Sequence, residues 1–396
     1  MLTHKDHFHG SDLEKIEQIY GIRKEDIVSF SANVNPLGIS PKLREHLAKH
    51  IDCITTYPDR EYSSLRQCMA DYVGTEKENI IVGNGSTELI SLFIQIEHPK
   101  KAMILGPTYS EYEREVSLGG GTTVYYPLKE ESGFKLDTTH FTSKLDDSID
   151  LLILCNPNNP TSSCISLDDM RTILDVCKEH GIYVMVDETY IEFVEDVVHT
   201  SAVSLTAYYN NIIILRGTSK FFAAPGLRLG YAITGNEDLL RNMNQRKNPW
   251  MINSLAAIAG ELMFQDDEYI QATRDLISTE RARCYQTMLN SKRFHPYKPT
   301  ANFMLMRIMD EDLNSGILFD RAIREGLMIR DCSTFPFLND KYIRFCFMDP
   351  ADNDRIVSYV RSLISYDAKK RKANAKDANA FLFYSVLINY LFWKYS

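Results

Sequence analysis

Residues 151–187 of this 396-residue chain, LLILCNPNNPTSSCISLDDMRTILDVCKEHGIYVMVD, decide its fold class. The segment begins and ends with short runs rich in Leu, Ile and Val, 151–155 and 182–187, which are typical of strands buried on both faces. Between them, residues 166–180 have the spacing of an amphipathic helix, with a serine cap, two aspartates in the first turn and a glycine after the end. A strand, a helix and a second strand in this order predict an α/β protein with a largely parallel sheet.

The pattern extends to both sides of this segment. The other predicted strands of the sheet are short apolar runs, at 80–82, 102–105, 212–215 and 231–233. From about residue 265 the pattern changes to a long helix, roughly 267–291, followed by the strands ANFMLMRI and YIRFCFM, which predicts a smaller α+β domain. The expected division is an N-terminal segment joining the small domain (1–48), a large domain (49–264), a small domain (265–365) and an extension of unknown role (366–396).

Composition excludes several classes of protein. The chain has 44 Lys and Arg residues against 53 Asp and Glu residues, and a net charge of −9 argues against nucleic acid as a partner. Its eight cysteines show no CxxC spacing in a chain far too long for a disulfide scaffold, so they are expected to be reduced and mostly buried. Residues 1–30 lack the apolar core of a signal peptide, and a cytoplasmic protein without a bound metal is expected.

Two unusual stretches lie near the C-terminus. The basic cluster KKRK at 369–372 precedes the apolar run FLFYSVLINYLFW at 381–393. This run is shorter than the roughly 20 residues needed to span a bilayer, although an interfacial anchor at an anionic membrane is one interpretation. The preferred interpretation is a terminal helix that docks on the domain or on a partner subunit.

The segment GTSKFFAAPGLRLGY at 217–231 places Lys220 after a predicted buried strand and inside a loop of small residues. Burial lowers the pKa of a lysine ammonium, and the neutral amine can then form a Schiff base with a carbonyl compound. Arg228 lies eight residues later, flanked by Gly226 and Gly230, which permit close approach of the backbone. Taken alone, the segment is equally compatible with a surface lysine and a structural arginine in a glycine-rich turn.

A second segment, VGNGSTELI at 82–90, runs from a predicted strand through a glycine-rich turn into a helix. Backbone N–H groups and the hydroxyls of Ser86 and Thr87 at the helix N-terminus form a candidate phosphate cradle. The segment matches neither a P-loop nor the GxGxxG fingerprint, and a tight turn with an N-cap is the alternative interpretation.

Polar residues also follow both strands of the 151–187 segment. Asn159 follows the first strand in CNPNNPT, Asp187 ends the second strand, and Tyr190 comes shortly after it. The carboxyl ends of parallel strands are where α/β proteins bind ligands, and a carboxylate there can hold a cation or a protonated ring nitrogen. Capping of a helix is the alternative interpretation for Asp187.

Together these segments resemble the aminotransferase class I/II superfamily, the fold type I enzymes that use pyridoxal phosphate (PLP). The resemblance implies the PLP-dependent transferase fold, with PLP as the cofactor. It implies that Lys220 binds the cofactor covalently, that Asp187 pairs with its ring nitrogen, and that Tyr190 acts with these two in catalysis. The other cofactor-binding residues that it implies are Gly85, Ser86, Thr87, Ser219 and Arg228 at the phosphate, Tyr109 against the ring, and Asn159 with Tyr190 at the phenolic oxygen.

The resemblance also implies a homodimer with shared active sites, because Tyr57 in TTYPD would reach the cofactor phosphate of the neighbouring subunit. One position departs from the family pattern. Many relatives have a hydroxyl residue three positions before the lysine, where this chain has Gly217. Thr218 is the residue expected to compensate for it.

A finer resemblance, over about residues 8–365, is to the threonine-phosphate decarboxylases of cobalamin biosynthesis and to their cousins, the histidinol-phosphate aminotransferases. The segments that carry it are HG at 9–10, DIVSFSANVNPLG at 26–38, DCITTYPDREY at 52–62, KFFAAPGLRLGY at 220–231, NPW at 248–250 and IRDCSTFP at 329–336.

This resemblance assigns the substrate-binding residues. It implies that Arg344 in KYIRFCF grips the substrate carboxylate, with Asn159 beside it. It also implies that His9, Asn33 and Arg330 surround the phosphate of a phosphorylated amino acid. Without the resemblance, Arg330 is equally well explained as an ion-pair partner of Asp331 or another acid, and His9 as a surface residue.

The reaction expected by resemblance is decarboxylation of an O-phospho-L-amino acid, either O-phospho-L-threonine to aminopropanol phosphate or O-phospho-L-serine to ethanolamine phosphate. Transamination of the histidinol-phosphate type is the alternative, since the two reactions share every cofactor residue. They differ in which bond to Cα is held perpendicular to the ring. A non-catalytic binding protein that keeps the fold is a third hypothesis, against which an intact Lys220, Asp187 and Arg228 argue.

Overall fold

The strand–helix–strand prediction is confirmed. In the computed structural model, which describes residues 12–361, Leu151–Cys155 and Tyr183–Asp187 are parallel neighbours in one sheet. The helix Leu167–Glu179 connects them. Because Cys155 is the register partner of Asp187, the two strands end side by side.

The strands of the described region are numbered here in chain order. They are β1 (Val28–Ser29), β2 (Ile80–Gly83), β3 (Lys101–Gly106), β4 (Thr122–Pro127), β5 (Leu151–Cys155), β6 (Tyr183–Asp187), β7 (Ile212–Gly217), β8 (Gly230–Ile233), β9 (Phe294–Pro296), β10 (Phe303–Ile308), β11 (Leu327–Met328), β12 (Arg330–Asp331) and β13 (Tyr342–Cys346). Seven of them form the main sheet, in the order β2-β8-β7-β6-β5-β3-β4. All neighbours are parallel except β8, which is antiparallel to β2 and β7, so the expected mostly parallel sheet is confirmed.

Helices alternate with these strands. They are α1 (Leu13–Tyr20), α2 (Pro41–Lys49), α3 (Ser63–Val73), α4 (Ser86–Glu97), α5 (Glu111–Leu118), α6 (Thr138–Thr142), α7 (Leu167–Glu179), α8 (Glu237–Arg246), α9 (Ser254–Met263), α10 (Asp267–Leu289), α11 (Ser315–Arg324) and α12, described over 350–361. Local sequence sets both ends of α7. Ser166 accepts a hydrogen bond from the Asp169 N–H at 3.1 Å, and Gly181 follows the helix in the left-handed conformation, φ +68°.

The main sheet is buried on both faces, as its apolar strands predict. Alternate residues of β5 enter two separate cores, with Leu152 and Leu154 in one and Leu151 and Ile153 in the other. Because β2, β3, β5, β6 and β7 run in the same direction, their last residues lie along one edge of the sheet. This edge carries the segments that the sequence singled out.

A smaller sheet follows in the chain. It is antiparallel, in the order β12-β13-β10-β9, and β1 pairs in parallel with β11 outside it. The Cys346 N–H also donates to the Phe30 carbonyl at 2.8 Å, so the N-terminal segment lies against β13. The helix predicted over roughly 267–291 is α10, which ends at Leu289. The domain boundaries at 49, 265 and 366 stay predictions, and the 366–396 extension lies outside the described residues.

All eight cysteines fall within the described region, and none of them is in a disulfide. Six are buried, as expected for reduced thiols, while Cys53 and Cys164 are half-buried. Over residues 12–361, no helix combines the length and apolar character that a membrane crossing requires.

A buried charged cluster lies beside the ends of β6 and β7. Glu188 Oε2 accepts hydrogen bonds from Arg216 Nε at 3.0 Å, Arg216 Nη2 at 2.8 Å and Ser201 Oγ at 2.9 Å. Glu192 lies at its margin, with Oε1 3.9 Å from Arg216 Nη1 and Oε2 without a hydrogen-bond partner among residues 12–361. Burial raises the pKa of Glu192 to about 7, although the charge of Arg216 opposes the shift.

We therefore expect Glu192→Gln to stabilise the protein more at pH 8 than at pH 5. The pKa of Glu192 is higher in the folded chain than its ordinary value, so the folded state favours the protonated carboxyl group. The stability that this group contributes is complete below pH 4.5 and is lost as the pH rises through about 7. The difference in the free energy of unfolding between variant and wild type should grow by up to about 3 kcal/mol across this range. Denaturant unfolding at several pH values measures it. Glu179→Gln, at an exposed position at the end of α7, is the control. The prediction is contradicted if the change in the free energy of unfolding is the same at every pH for Glu192→Gln as well as for the control.

Candidate active site

Lys220 lies in the loop after β7, at the edge of the sheet where the sequence placed it. Its Nζ donates a hydrogen bond to the Ala32 carbonyl at 2.7 Å, so the N-terminal segment passes directly over the amine. Burial, together with the positive charge of Arg344, lowers the pKa of Lys220 to about 8. A substantial fraction of the amine is therefore neutral near physiological pH, as a nucleophilic lysine requires.

Asp187 is the last residue of β6 and is 4% exposed. Its Oδ1 accepts hydrogen bonds from the Thr189 N–H at 2.9 Å and from the Thr189 hydroxyl. The following short helical turn, Ile191–Phe193, has Tyr190 and not Asp187 at its N-cap position. Helix capping, the alternative predicted for Asp187, is therefore wrong, and Thr189 fixes the orientation of the carboxylate at the sheet edge.

A cradle for an anion forms at the start of α4. Gly85 is in a left-handed conformation, φ +82°, and no side chain of the described region caps the helix, so the first-turn N–H groups of Ser86 and Thr87 are not used by a cap. A side chain at Gly85 would place its Cβ 2.4 Å from Arg228 Nη2, which shows how closely the guanidinium lies against the turn. A helix N-terminus and a guanidinium together bind phosphate well.

Gly217 is the last residue of β7 and lies beside Ser86. A Cβ at Gly217 would lie 3.8 Å from Ser86 Oγ, so a hydroxyl residue there would border the cradle. The Thr218 hydroxyl instead donates to the Leu229 carbonyl at 3.2 Å. The compensation expected from Thr218 stays a prediction. Ser219, the other predicted phosphate residue of this loop, directly precedes Lys220.

Arg344 is buried in the middle of β13, in the smaller sheet. One end of its guanidinium donates to the Asn159 side-chain oxygen, and Nη2 donates to the Ser31 carbonyl at 2.6 Å. The guanidinium also lies over the Phe303 ring, 5.2 Å from its centre, while Nε has no hydrogen-bond partner among residues 12–361. A rigidly held, buried guanidinium with one unused donor is suited to a carboxylate ligand.

Tyr190 and Asn33 lie together beside Arg344. The Asn33 Nδ2 donates to the Tyr190 hydroxyl at 3.3 Å, and the Tyr190 ring packs edge-on against Phe303, with 4.9 Å between ring centres. Burial raises the pKa of Tyr190 to about 12, so its hydroxyl remains a donor. Asn33 adopts φ +57°, a left-handed conformation that asparagine tolerates better than most residues, and its buried Oδ1 has no partner in the described part of the chain.

Arg330 lies directly opposite Arg344. The two are register partners in the antiparallel pair β12–β13, so their side chains leave the same face of the sheet. Arg330 Nη2 donates to the Thr334 hydroxyl at 3.3 Å, and the guanidinium lies 5.3 Å from the centre of the Phe335 ring. Burial lowers the pKa of Arg330, and the charge of Arg344 lowers it further.

Tyr109 and Tyr57 are the remaining predicted site residues that the structure describes. Tyr109 packs edge-on against Tyr112, with 5.5 Å between ring centres, and the charges of Asp187 and Arg228 act on its hydroxyl. Tyr57 is 79% exposed and contacts the Trp250 ring at 4.8 Å. His9 lies outside the described residues.

Sequence reasoning missed the backbone of residues 31–33. Three consecutive residues each contact a different predicted site residue, since Ser31 meets Arg344, Ala32 meets Lys220 and Asn33 meets Tyr190. Two of these contacts use backbone carbonyl oxygens, which every residue type has, so the side chains give no sign of them. The SANVN motif is the one sequence signal that could have indicated this segment.

The residues present fit PLP. The cradle of Gly85, Ser86 and Arg228 suits its phosphate, the Asp187 carboxylate suits its ring nitrogen, and Lys220 suits its aldehyde. The Cβ that Gly85 lacks would occupy the space between the turn and Arg228.

Comparison with known proteins defines the class. A family model of aminotransferase class I and II matches residues 25–360, and the chain belongs to this family, whose cofactor is PLP. It is 33% identical to the threonine-phosphate decarboxylase of Salmonella typhimurium over 357 residues, 90% of this chain and 96% of that protein.

Solved structures agree on the fold. The histidinol-phosphate aminotransferase of Clostridium acetobutylicum superposes with a TM-score of 0.79 at 31% identity, covering 84% of this chain and 98% of that one. The histidinol-phosphate aminotransferase of Sinorhizobium meliloti, solved in complex with pyridoxal-5'-phosphate, gives a TM-score of 0.79 at 20% identity over 88% of this chain and 94% of that one. The family and the PLP-dependent transferase fold predicted from sequence are confirmed.

Proposed function

We propose that this chain is a PLP-dependent decarboxylase of an O-phospho-L-amino acid. O-phospho-L-threonine would give aminopropanol phosphate, and O-phospho-L-serine would give ethanolamine phosphate. The two substrates differ by one methyl group, which a pocket discriminates by only about 1–3 kcal/mol. The 33% identity with a threonine-phosphate decarboxylase supports this reaction.

The observation that carries the proposal is the pairing of Arg330 with Arg344. The two guanidinium groups leave the same face of the sheet at directly opposite positions, and Arg344 is buried. Two cationic groups on one face match a ligand with two anionic groups, whereas a substrate with one carboxylate uses only one of them. An amino acid esterified with phosphate carries these two groups.

The proposed roles follow from the contacts. Arg344, fixed by Asn159 and Ser31, holds the α-carboxylate, while Arg330 holds the phosphate together with Asn33 and His9. When bound, PLP supplies an electron sink for the charge that develops at Cα. The bond from Cα to the carboxylate carbon breaks, CO2 leaves, and Lys220 in its ammonium form gives the proton that completes the new Cα–H bond.

The cofactor roles are also proposals. Asp187 pairs with the ring nitrogen, Asn159 and Tyr190 hold the phenolic oxygen, and Tyr109 packs against the ring. The phosphate is held by the cradle residues Gly85, Ser86, Thr87, Ser219 and Arg228, and by Tyr57 of a partner subunit.

Transamination of the histidinol-phosphate type is the second candidate. The 31% identity with the Clostridium acetobutylicum enzyme favours it. In that reaction Lys220 removes the Cα proton, and the carboxylate, or the alcohol of histidinol phosphate, stays on the substrate.

Product analysis tests the choice. The holoenzyme is incubated with phosphothreonine, phosphoserine or histidinol phosphate, each with and without 2-oxoglutarate, and with unphosphorylated threonine and serine as controls. We expect CO2 and the amino-alcohol phosphate in equal amounts from a phospho-amino acid, independent of 2-oxoglutarate. Formation of a 2-oxo acid or aldehyde that requires 2-oxoglutarate, without CO2, contradicts the proposal.

We also propose a cytoplasmic homodimer. Tyr57 contacts Trp250, and both are exposed, as are Ile51 and Ile54 shortly before Tyr57 in the chain. Exposed apolar side chains of this kind suit a second copy of the chain. The unpaired cysteines suit a reducing compartment. Sedimentation of the full chain as a monomer would contradict the dimer.

A further inference from the structure

Three hydrogen bonds from the protein hold the Asp187 carboxylate. Thr189 supplies two of them to Oδ1, from its N–H at 2.9 Å and its hydroxyl at 2.5 Å. The third comes from the Tyr112 hydroxyl, which donates to Oδ2 at 2.6 Å. Both carboxylate oxygens are therefore oriented by the chain before any ligand arrives.

Tyr112 is a buried core residue that contacts both Asp187 and Tyr109. It lies on α5, is 1% exposed and packs edge-on against Tyr109. Burial and the negative charge of Asp187 raise the pKa of Tyr112 well above its ordinary value, so the phenol remains protonated and is a permanent donor. The other titratable groups whose charges act with Asp187 are Tyr109, Cys155, Tyr190 and Lys220.

We propose that Tyr112 is a positioning residue whose hydrogen bond to Asp187 Oδ2 keeps the proton shared with the cofactor ring on the ring nitrogen. The proposal rests on the role proposed above for Asp187. A carboxylate that accepts fewer hydrogen bonds is more basic. Without the Tyr112 hydroxyl, Asp187 would draw this proton toward itself, and the ring would lose positive charge and become a weaker electron sink.

Tyr112→Phe tests the proposal, since it removes the hydroxyl and keeps the ring. The readout is the pH midpoint of the absorption change of PLP bound to the full-length protein, measured without substrate. A less positive ring raises the pKa of the Lys220 nitrogen in its covalent link to the cofactor. We expect the midpoint to rise by about half a pH unit or more, and PLP to bind several-fold more weakly.

Two further variants separate this role from simple packing. Tyr231→Phe is the matched control, because Tyr231 is equally buried and its hydroxyl lies near Arg216 and not at Asp187. It should titrate like wild type. Thr189→Val removes the second hydroxyl donor to Asp187 and should shift the midpoint in the same direction, while Thr189→Ser should restore it.

A wild-type midpoint in PLP-loaded Tyr112→Phe overturns the proposal. If this variant does not bind PLP, Thr189→Val decides instead, and an unshifted midpoint there overturns it. Because no substrate is present, failure of the decarboxylase assignment would leave this measurement unchanged.

Discussion

Lys220→Ala abolishes CO2 release from O-phospho-L-amino acids, with an expected loss in kcat of about 10⁴-fold or more. The variant lacks both the amine that binds the cofactor and the ammonium that returns a proton to Cα. It should also lose the absorption band of bound PLP at about 420 nm. Steady-state rates and the spectrum of the purified protein measure both effects.

Lys220→Arg distinguishes the need for a reactive amine from the need for a positive charge at this position. A guanidinium keeps the positive charge but is always protonated, so it cannot replace the amine, and we expect the same loss. Lys178→Ala on α7 removes a lysine that lies over the Tyr209 ring, and it should retain activity and spectrum. Retention of more than a small fraction of the rate in Lys220→Ala would contradict the role given to this residue.

The pH dependence of cofactor attachment follows from the same lysine. With a pKa of about 8, roughly a tenth of the Lys220 amine is neutral at pH 7, compared with far less than a hundredth for an ordinary lysine. The rate at which PLP attaches to the apoprotein should therefore rise with pH and level off above about 8. Stopped-flow absorbance measures it, and a rate that still climbs at pH 10 contradicts the lowered pKa.

Arg330→Gln and Arg344→Gln should weaken the enzyme in different ways. Removing Arg330 takes the guanidinium partner away from the substrate phosphate, so kcat/KM for the phospho-amino acid should fall about 100-fold or more. The weak activity on unphosphorylated serine or threonine should change little. Removing Arg344 should lower kcat/KM for both kinds of substrate by a similar factor, because both carry the α-carboxylate.

The ratio of kcat/KM for phosphorylated and unphosphorylated substrate is the decisive quantity. It should collapse in Arg330→Gln and persist in Arg344→Gln. Arg307→Gln is the matched control, since Arg307 belongs to the same small sheet but pairs with Glu130 at 2.8 Å. Equal loss on both substrate types in Arg330→Gln would mean that Arg330 does not bind the phosphate.

The parts of the fold that the sequence predicted depend on local signals. Apolar strand runs, the Ser166 cap and the glycine after α7 specified the strand–helix–strand unit, and the strand ends then located Asp187 and Lys220 on one edge. Only the family resemblance indicated that both residues bind the same cofactor.

The missed features depend on long-range register or on groups without a sequence signature. The pairing of Arg330 with Arg344 depends on the antiparallel register of β12 and β13 across the intervening loop. Tyr112 lies at a helical core position, where a tyrosine is indistinguishable from one that only packs. The Ala32 carbonyl has no sequence signature, and the Thr218 hydroxyl could not be assigned until its backbone partner was seen.

The fate of the substrate Cα hydrogen tests the central claim most directly. The holoenzyme is incubated in ordinary water with O-phospho-L-threonine or O-phospho-L-serine deuterated at Cα. The masses of the products are then measured by mass spectrometry. Decarboxylation breaks only the bond to the carboxylate, so the amino-alcohol phosphate should keep its deuterium and gain one hydrogen from Lys220. Loss of the deuterium to solvent, with the carboxylate still present in the product, would contradict the account.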